Sequence, residues 1–272
     1  MESTTFFELR ATHNPHRWVL PVEPSICVGR EDRLFLFGGV GLGAAISAMQ
    51  QTCGRPVIWA TAQYLSFARP GSFVDIDVWE PGIGNHSTQA RVIGHIDDKE
   101  IITVNAALGE RPSPVSANWI TPPDVPEPDQ CEFREHWRGL DYHMHSRLEM
   151  RIAKGRFPGG AEPIVGGSSD GRAALWVRAP LLPRVDAPLL AVFADFVSAA
   201  ISNAIGGHAG GNSLDNTIRF CGMEDTQWVL CDIQIESIQR GVVHGSMHLF
   251  SEKRQLLAIA SQSLILRDHS AG

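Results

Sequence analysis

The chain repeats itself, and a duplication of this size restricts the fold more than any local pattern does. Ala44-Ala45-Ile46-Ser47 recurs as Ala199-Ala200-Ile201-Ser202, a spacing of 199 − 44 = 155 positions. Other matches follow in the same order. Phe7-Glu8-Leu9-Arg10-Ala11 resembles Leu148-Glu149-Met150-Arg151-Ile152, Trp18-Val19 resembles Trp176-Val177, and Glu100-Ile101-Ile102 resembles Gln255-Leu256-Leu257. Tyr64-Leu65-Ser66-Phe67 is matched with Thr217-Ile218-Arg219-Phe220, at 220 − 67 = 153. A chain of 272 residues accommodates two such units, each with a core of its own.

Each unit reads as two strands, one long apolar helix, then several strands of alternating character such as Phe73-Val74-Asp75-Ile76-Asp77-Val78-Trp79. A helix that apolar must be wrapped, and antiparallel sheet curled around it buries both partners. The expected fold is therefore α+β, a double hotdog: two tandem hotdog repeats, each with antiparallel sheet wrapped around a central helix. Pro112, Pro114, Pro122, Pro123, Pro126 and Pro128 can continue neither helix nor central strand. They divide the chain into an N-terminal repeat over 1–111, a proline-rich linker over 112–131 and a C-terminal repeat over 132–272. Glycines at 155, 159, 160, 166, 167 and 171 predict a long hairpin loop between the first two strands of the second repeat.

Composition narrows the choice of partner. A net charge of −7 and a pI of about 5.9 do not provide the basic surface on which nucleic-acid binding depends, so no nucleic acid is expected. Cys27, Cys53, Cys131, Cys221 and Cys231 form no CxxC pair. Reduced, largely buried thiols are expected rather than a zinc site or a disulfide framework. The N-terminus shows no basic segment ahead of an apolar run, and no apolar stretch reads as a membrane span; the expected location is cytoplasmic.

Positions where the two units differ in polarity are the candidates for chemistry kept in one copy. Asp195 interrupts an apolar helix and falls opposite Val40, Ser213 falls opposite Ala60, and Gln262 falls opposite Ala107. Singly, each has a structural explanation: an acid satisfying backbone, a turn hydroxyl after Gly210-Gly211-Asn212, an amide at a sheet edge. Together they add an acid, a hydroxyl and a carboxamide to one pseudo-site. A carboxylate among apolar neighbours is costly unless it is paired or used.

Leu36-Phe37-Gly38-Gly39, Arg69-Pro70-Gly71, Ala194-Asp195-Phe196, Ser213-Leu214-Asp215-Asn216 and Ala260-Ser261-Gln262-Ser263 together resemble the bacterial acyl-CoA thioesterase II family, the double-hotdog thioesterases, along nearly the whole chain. In that family an aspartate on the second helix, a Thr or Ser on the next strand and a glutamine on a later strand orient the hydrolytic water. The resemblance assigns these catalytic places to Asp195, Ser213 and Gln262. It implies hydrolysis of acyl-CoA to free acid and CoA, a place in lipid metabolism, no cofactor or metal, and a homo-oligomer, while Val40, Ala60 and Ala107, which offer no acid, hydroxyl or amide, predict a silent N-terminal pseudo-site. Asn216, Arg219 and Cys221 stand where family members often carry a histidine and aromatic residues.

Other readings compete with this one. Gly39-Val40-Gly41-Leu42-Gly43-Ala44 satisfies a dinucleotide-binding pattern, but Ile58–Gln63 offers no acid for a ribose, and close helix packing explains the same glycines. Asp141, His143 and His145 would share one face of a strand, with His136 upstream, as metal ligands do; the alternative is the first strand of the second repeat with solvent-facing histidines. A hotdog hydratase or dehydratase would pair Asp195 with a histidine, and His208 lies past the helix end. A silent acyl-CoA-binding protein would have no use for the Asp, Ser and Gln set.

Overall fold

The computed structural model describes residues 5–135, 143–160 and 164–268. The first half lays down β1 (Arg10–Ala11), β2 (Arg17–Pro21), a small ribbon of β3 (Cys27–Val28) and β4 (Phe35–Leu36), and helix α1 (Gly38–Cys53). Four long strands follow: β5 (Val57–Tyr64), β6 (Phe73–Ile83), β7 (Ser87–Ile96) and β8 (Lys99–Gly109). The second half begins with β9 (Glu132–Phe133), β10 (Glu149–Lys154) and β11 (Arg172–Arg178). Its helical run comprises α2 (Ala187–Ala194), a 3-10 segment (Asp195–Ala200) and α3 (Ile201–Ile205). Then come β12 (Ala209–Ser213), β13 (Asp215–Phe220), β14 (Val229–Gln239), β15 (Val242–Ser251) and β16 (Leu256–Asp268).

Among the described residues these strands make one 14-stranded antiparallel sheet, in the order β1-β2-β6-β7-β8-β5-β13-β16-β15-β14-β11-β10-β9, with β12 also paired to β16. Read outward from the β5–β13 seam, the two sides run in the same order: β5, β8, β7, β6, β2, β1 on one side and β13, β16, β15, β14, β11, β10 on the other. The duplication seen in the sequence is thus a pseudo-two-fold in the sheet. Gly155–Gly171 links β10 to β11, which pair as a hairpin.

Helix α1 is apolar over most of its circumference, and its polar residues, Ser47 with Gln50, Gln51 and Thr52 of the last turn, reach solvent. Val40, Leu42, Ala44, Ala45, Ile46, Ala48 and Met49 are all fully buried, against β5, β6, β7 and β8 on one side and α2 on the other. Gly54, at φ 63°, ends the helix in the left-handed conformation glycine adopts without strain, and its N–H returns to Gln50 O. The glycines in α1 serve close approach of the two helices. A Cβ at Gly39 would lie 2.8 Å from the Val192 carbonyl oxygen, and one at Gly43 2.7 Å from that of Pro188. The dinucleotide reading of these glycines gives way to helix-on-helix packing within an antiparallel sheet.

Asp186 opens α2, its side chain accepting from the Leu189 N–H at 2.9 Å. The run Ala187–Ile205 has a mean hydropathy of 1.6 and is long and apolar enough to cross a membrane, which corrects the reading that no stretch reaches that length. A helix enclosed by sheet is apolar all round for the same reason a membrane helix is, and 72% of this one is buried inside the fold.

The seam corrects one of the repeat matches. Thr61 sits opposite Thr217, with the two hydroxyl oxygens 2.7 Å apart and the residues 156 positions apart. Tyr64 therefore corresponds to Phe220, and the match of Tyr64–Phe67 to Thr217–Phe220 was displaced by three residues. A displacement by an odd number exchanges the two faces of a strand, whereas the ladder keeps Ala60 and Asn216 both buried. Both halves also carry an irregularity at the same place, Val57 lying opposite Leu108 and Ser213 opposite Leu264. Ser213 accordingly corresponds to Val57 rather than Ala60, and Gln262 to Ala106 rather than Ala107.

The histidine stretch departs from expectation as well. His136 and Asp141 lie outside the described residues. His143 and His145 lie in or beside a 3-10 turn, Met144–Arg147, ahead of β10, not on a strand face. His143 is buried, its Nε2 accepting the Gly29 N–H at 3.0 Å. The local cause is turn geometry, since His143 stands in extended backbone, at φ −88°, at the start of this 3-10 turn. Among the cysteines, Cys27, Cys131 and Cys231 are buried, Cys53 is half-buried and Cys221 is exposed.

Candidate active site

Asp195 stands where the α-helical turns of α2 tighten into the 3-10 segment. Its side chain is 3% exposed and points at the N-terminus of α1. That terminus has Phe37 in the capping position, which offers no side-chain acceptor, so its free N–H groups need one from elsewhere. The Gly39 N–H donates to Asp195 Oδ2 at 2.7 Å. The acid of one half thereby caps the helix of the other, and only glycine at 39 permits it, because a Cβ there would lie 2.9 Å from Asp195 Cβ.

The second carboxylate oxygen faces the sheet. Ser213, at the end of β12, donates from Oγ to Asp195 Oδ1 at 3.3 Å. Gln262, on β16 and 2% exposed, donates from Nε2 both to Asp195 Oδ1 and to Ser213 Oγ, the latter at 2.8 Å. The fold thus brings together the three side chains singled out in the sequence, from the 3-10 segment after α2, from β12 and from β16. Burial pushes the Asp195 carboxyl up from an ordinary 3.8 to about 6, against the pull of hydrogen bonds from Gln262, Gly39 and Ser213 and of neighbouring Asn216. A carboxylate poised near neutrality is suited to taking a proton from water.

Three neighbours of Asp195 escaped the sequence. The Gly39 amide belongs to the N-terminal half, so the hydrogen-bonded cluster draws on both halves; a backbone N–H leaves no signature in a sequence. Asn216, on β13, is fully buried and had been visible only as a departure from the family's histidine. Tyr64 closes β5, its phenol oxygen enclosed; it is one of two tyrosines in the chain, and that scarcity was the available signal. Tyr64 Oη, both amide atoms of Asn216 and Gln262 Oε1 are buried without a hydrogen-bond partner in the protein. Among the described residues, no group of three His, Cys, Asp or Glu side chains converges as metal ligands would.

A family model described as the acyl-CoA thioesterase C-terminal domain matches residues 122–266, more than half of the chain. A crystal structure from Novosphingobium aromaticivorans DSM 12444, provisionally named a thioesterase, is 33% identical over 96% of this chain and 98% of that one, with a TM-score of 0.84. This chain belongs to the acyl-CoA thioesterase family. Two more distant structures share the fold. One is a hot dog protein of unknown function from Alicyclobacillus acidocaldarius, 16% identical over 96% of both chains with a TM-score of 0.81. The other is an acyl-CoA thioesterase II from Mycobacterium marinum, 17% identical over 98% of both chains with a TM-score of 0.71. No curated protein matches the chain. In this acyl-CoA thioesterase of hot dog fold, the Asp195 cluster is a buried polar site inside the helix-and-sheet core.

Proposed function

We propose that this acyl-CoA thioesterase is a tandem double hotdog with one hydrolytic centre, in which Asp195 is the general base and Ser213 and Gln262 hold the attacking water. The observation that carries the reading is the convergence of Ser213 and Gln262 on a single buried carboxylate. In the reaction, the water oxygen bonds to the thioester carbonyl carbon while Asp195 accepts a water proton and the carbonyl π pair moves onto its oxygen. The C=O bond then re-forms, the C–S bond breaks, and Asp195 returns the proton to the departing sulfur. Free acid and CoA leave, and the carboxylate is restored. No covalent acyl-enzyme is needed, since water is the nucleophile.

The division of labour follows the repeats at 1–111 and 132–272, with 112–131 between them. At the positions corresponding to Ser213 and Gln262, the first repeat carries Val57 and Ala106, which can hold no water. One centre per chain follows. Free-thiol detection over a series of acyl-CoA chain lengths tests the activity, and Asp195→Asn tests the site. A parent protein that releases no CoA from any of them would end the functional reading.

A further inference from the structure

We propose that Tyr64, supplied by the N-terminal half, is a catalytic residue of the same centre, its phenol O–H donating a hydrogen bond to the thioester carbonyl oxygen as that oxygen takes up negative charge. The inference rests on the hydrolytic reading of the Asp195 site and extends it across the seam.

Placement is the first argument. Tyr64 is the last residue of β5, and its own N–H donates to Leu214 O at 3.1 Å, which fixes it beside Ser213 and Asp215. On β5 it shares a face with Ala60 and Ala62, both fully buried, and so points toward the helices. A Cβ at Gly38 would lie 2.9 Å from Asp195 Oδ2 and 3.0 Å from Tyr64 Cζ. The carboxylate and the hydroxyl-bearing end of the phenol therefore border one small space, which glycine at 38 leaves open.

Satisfaction of polar groups is the second. An enclosed hydroxyl without a partner costs about 1–3 kcal/mol, and phenylalanine would fill the same volume without that cost. Tyr64 Oη is not an isolated lapse, because Asn216, whose amide lies close enough to act on both Tyr64 and Asp195, and Gln262 Oε1 are likewise buried without a hydrogen bond. Unpaired donors and acceptors gathered at one place mark where a ligand's polar atoms go. One amide that a helix N-terminus would lend to an oxyanion, Gly39 N–H, is already engaged by Asp195, and a donor from another element supplies what that amide cannot. Burial, and then the charges of Asp195 and Asp215, hold the proton on the Tyr64 phenol, with Asn216 pulling the other way; Tyr64 is thus a donor throughout the range in which Asp195 is a base.

Tyr64→Phe removes the donor and keeps the ring. The expected result is a fall in kcat of on the order of a hundredfold, the scale of losing one oxyanion donor, with KM within about threefold. The acid limb of the pH profile should persist, because Asp195 is still present. Melting temperature should hold or rise, showing that the loss is not one of folding. The only other tyrosine is Tyr142, so fluorotyrosine labelling of a Tyr142→Phe protein leaves one ¹⁹F resonance at position 64, which a non-hydrolysable acyl-CoA thioether should shift. A Tyr64→Phe enzyme with kcat within twofold of the parent, or a resonance unmoved at saturating thioether, would overturn the proposal. Asp195→Asn, assayed alongside, separates the two readings: if it abolishes turnover while Tyr64→Phe does not, only the role of Tyr64 falls, and if neither variant loses turnover, the site itself does.

Discussion

The Gly39 N–H and the Asp195 carboxylate are joined across the two halves of the chain by a 2.7 Å hydrogen bond. The proposed base of the reaction is also the cap of a helix it does not belong to. Helix α1 has no cap of its own, so position 195 carries a structural duty beside its chemical one, and substitutions there must be read for both.

Asp195→Asn should keep the first duty and lose the second. An Asn Oδ1 can still accept from Gly39, and rotation of the Gln262 amide by half a turn presents its orphaned Oε1 to the new Nδ2. The expected fall in kcat is on the order of a hundredfold or more, the scale of a lost general base. Val40→Ala, in the buried N-terminal turn of α1, is the control: it should cost about 2 kcal/mol of stability and leave kcat near that of the parent. Steady-state kinetics and thermal melts of the two variants check both statements.

The pH dependence follows from the same burial. With its folded pKa raised to about 6 from 3.8, the Asp195 carboxyl binds a proton more tightly in the native state than in the unfolded chain. Stability therefore falls as pH rises between those values, and above about 6 the full cost is present, on the order of 3 kcal/mol. Turnover should rise over the same interval as the base ionises. Asp195→Asn should gain in melting temperature on the parent at pH 8 relative to pH 4; equal gaps at the two pH values would show that the charge is not being desolvated.

Ser213→Ala and Gln262→Ala should each lower kcat, and the double variant should lose less than the product of the two. Gln262 donates to both Ser213 and Asp195, so under the proposed mechanism the three side chains act on one water and their effects are coupled. A double-mutant cycle on kcat measures this directly, and strict multiplicativity would separate Gln262 from the water.

Gly38→Ala isolates the small space between Asp195 and Tyr64. Alanine improves intrinsic helix propensity by up to about 1 kcal/mol over glycine, yet its Cβ would press on both Asp195 Oδ2 and Tyr64 Cζ. Melting temperature close to the parent's together with at least a tenfold loss of kcat is the expected combination. Unchanged kinetics would mean that the reacting atoms lie elsewhere.

How far the sequence could be read depended on what kind of signal each feature leaves. The repeat, the helix that had to be wrapped, and the antiparallel strands were legible because periodicity and duplication are carried by side chains. Asp195, Ser213 and Gln262 stood out as polar intruders in one copy, and the fold gathers them around one carboxylate. The register was not legible: Phe67 and Phe220 both end aromatic-tipped segments, and matching them slid β5 by three residues, an error only the Thr61–Thr217 ladder exposes. The helix-capping amide was invisible because every residue but proline has one. Tyr64 reads as an ordinary aromatic of a half-buried strand until its hydroxyl is seen to lack a partner.

The seam between β5 and β13 also has a kinetic side. It is made by residues 156 positions apart, so it closes after the local hairpins on either side of it, and such non-local pairing is slow. Until it closes, β5 and β13 are both bare edges, each presenting unpaired backbone groups to solvent. A neighbouring chain carries the complementary edge at the same moment. Refolding at high protein concentration should therefore yield exchanged dimers in which β5 of one chain pairs with β13 of another, and dilution should return the monomeric seam.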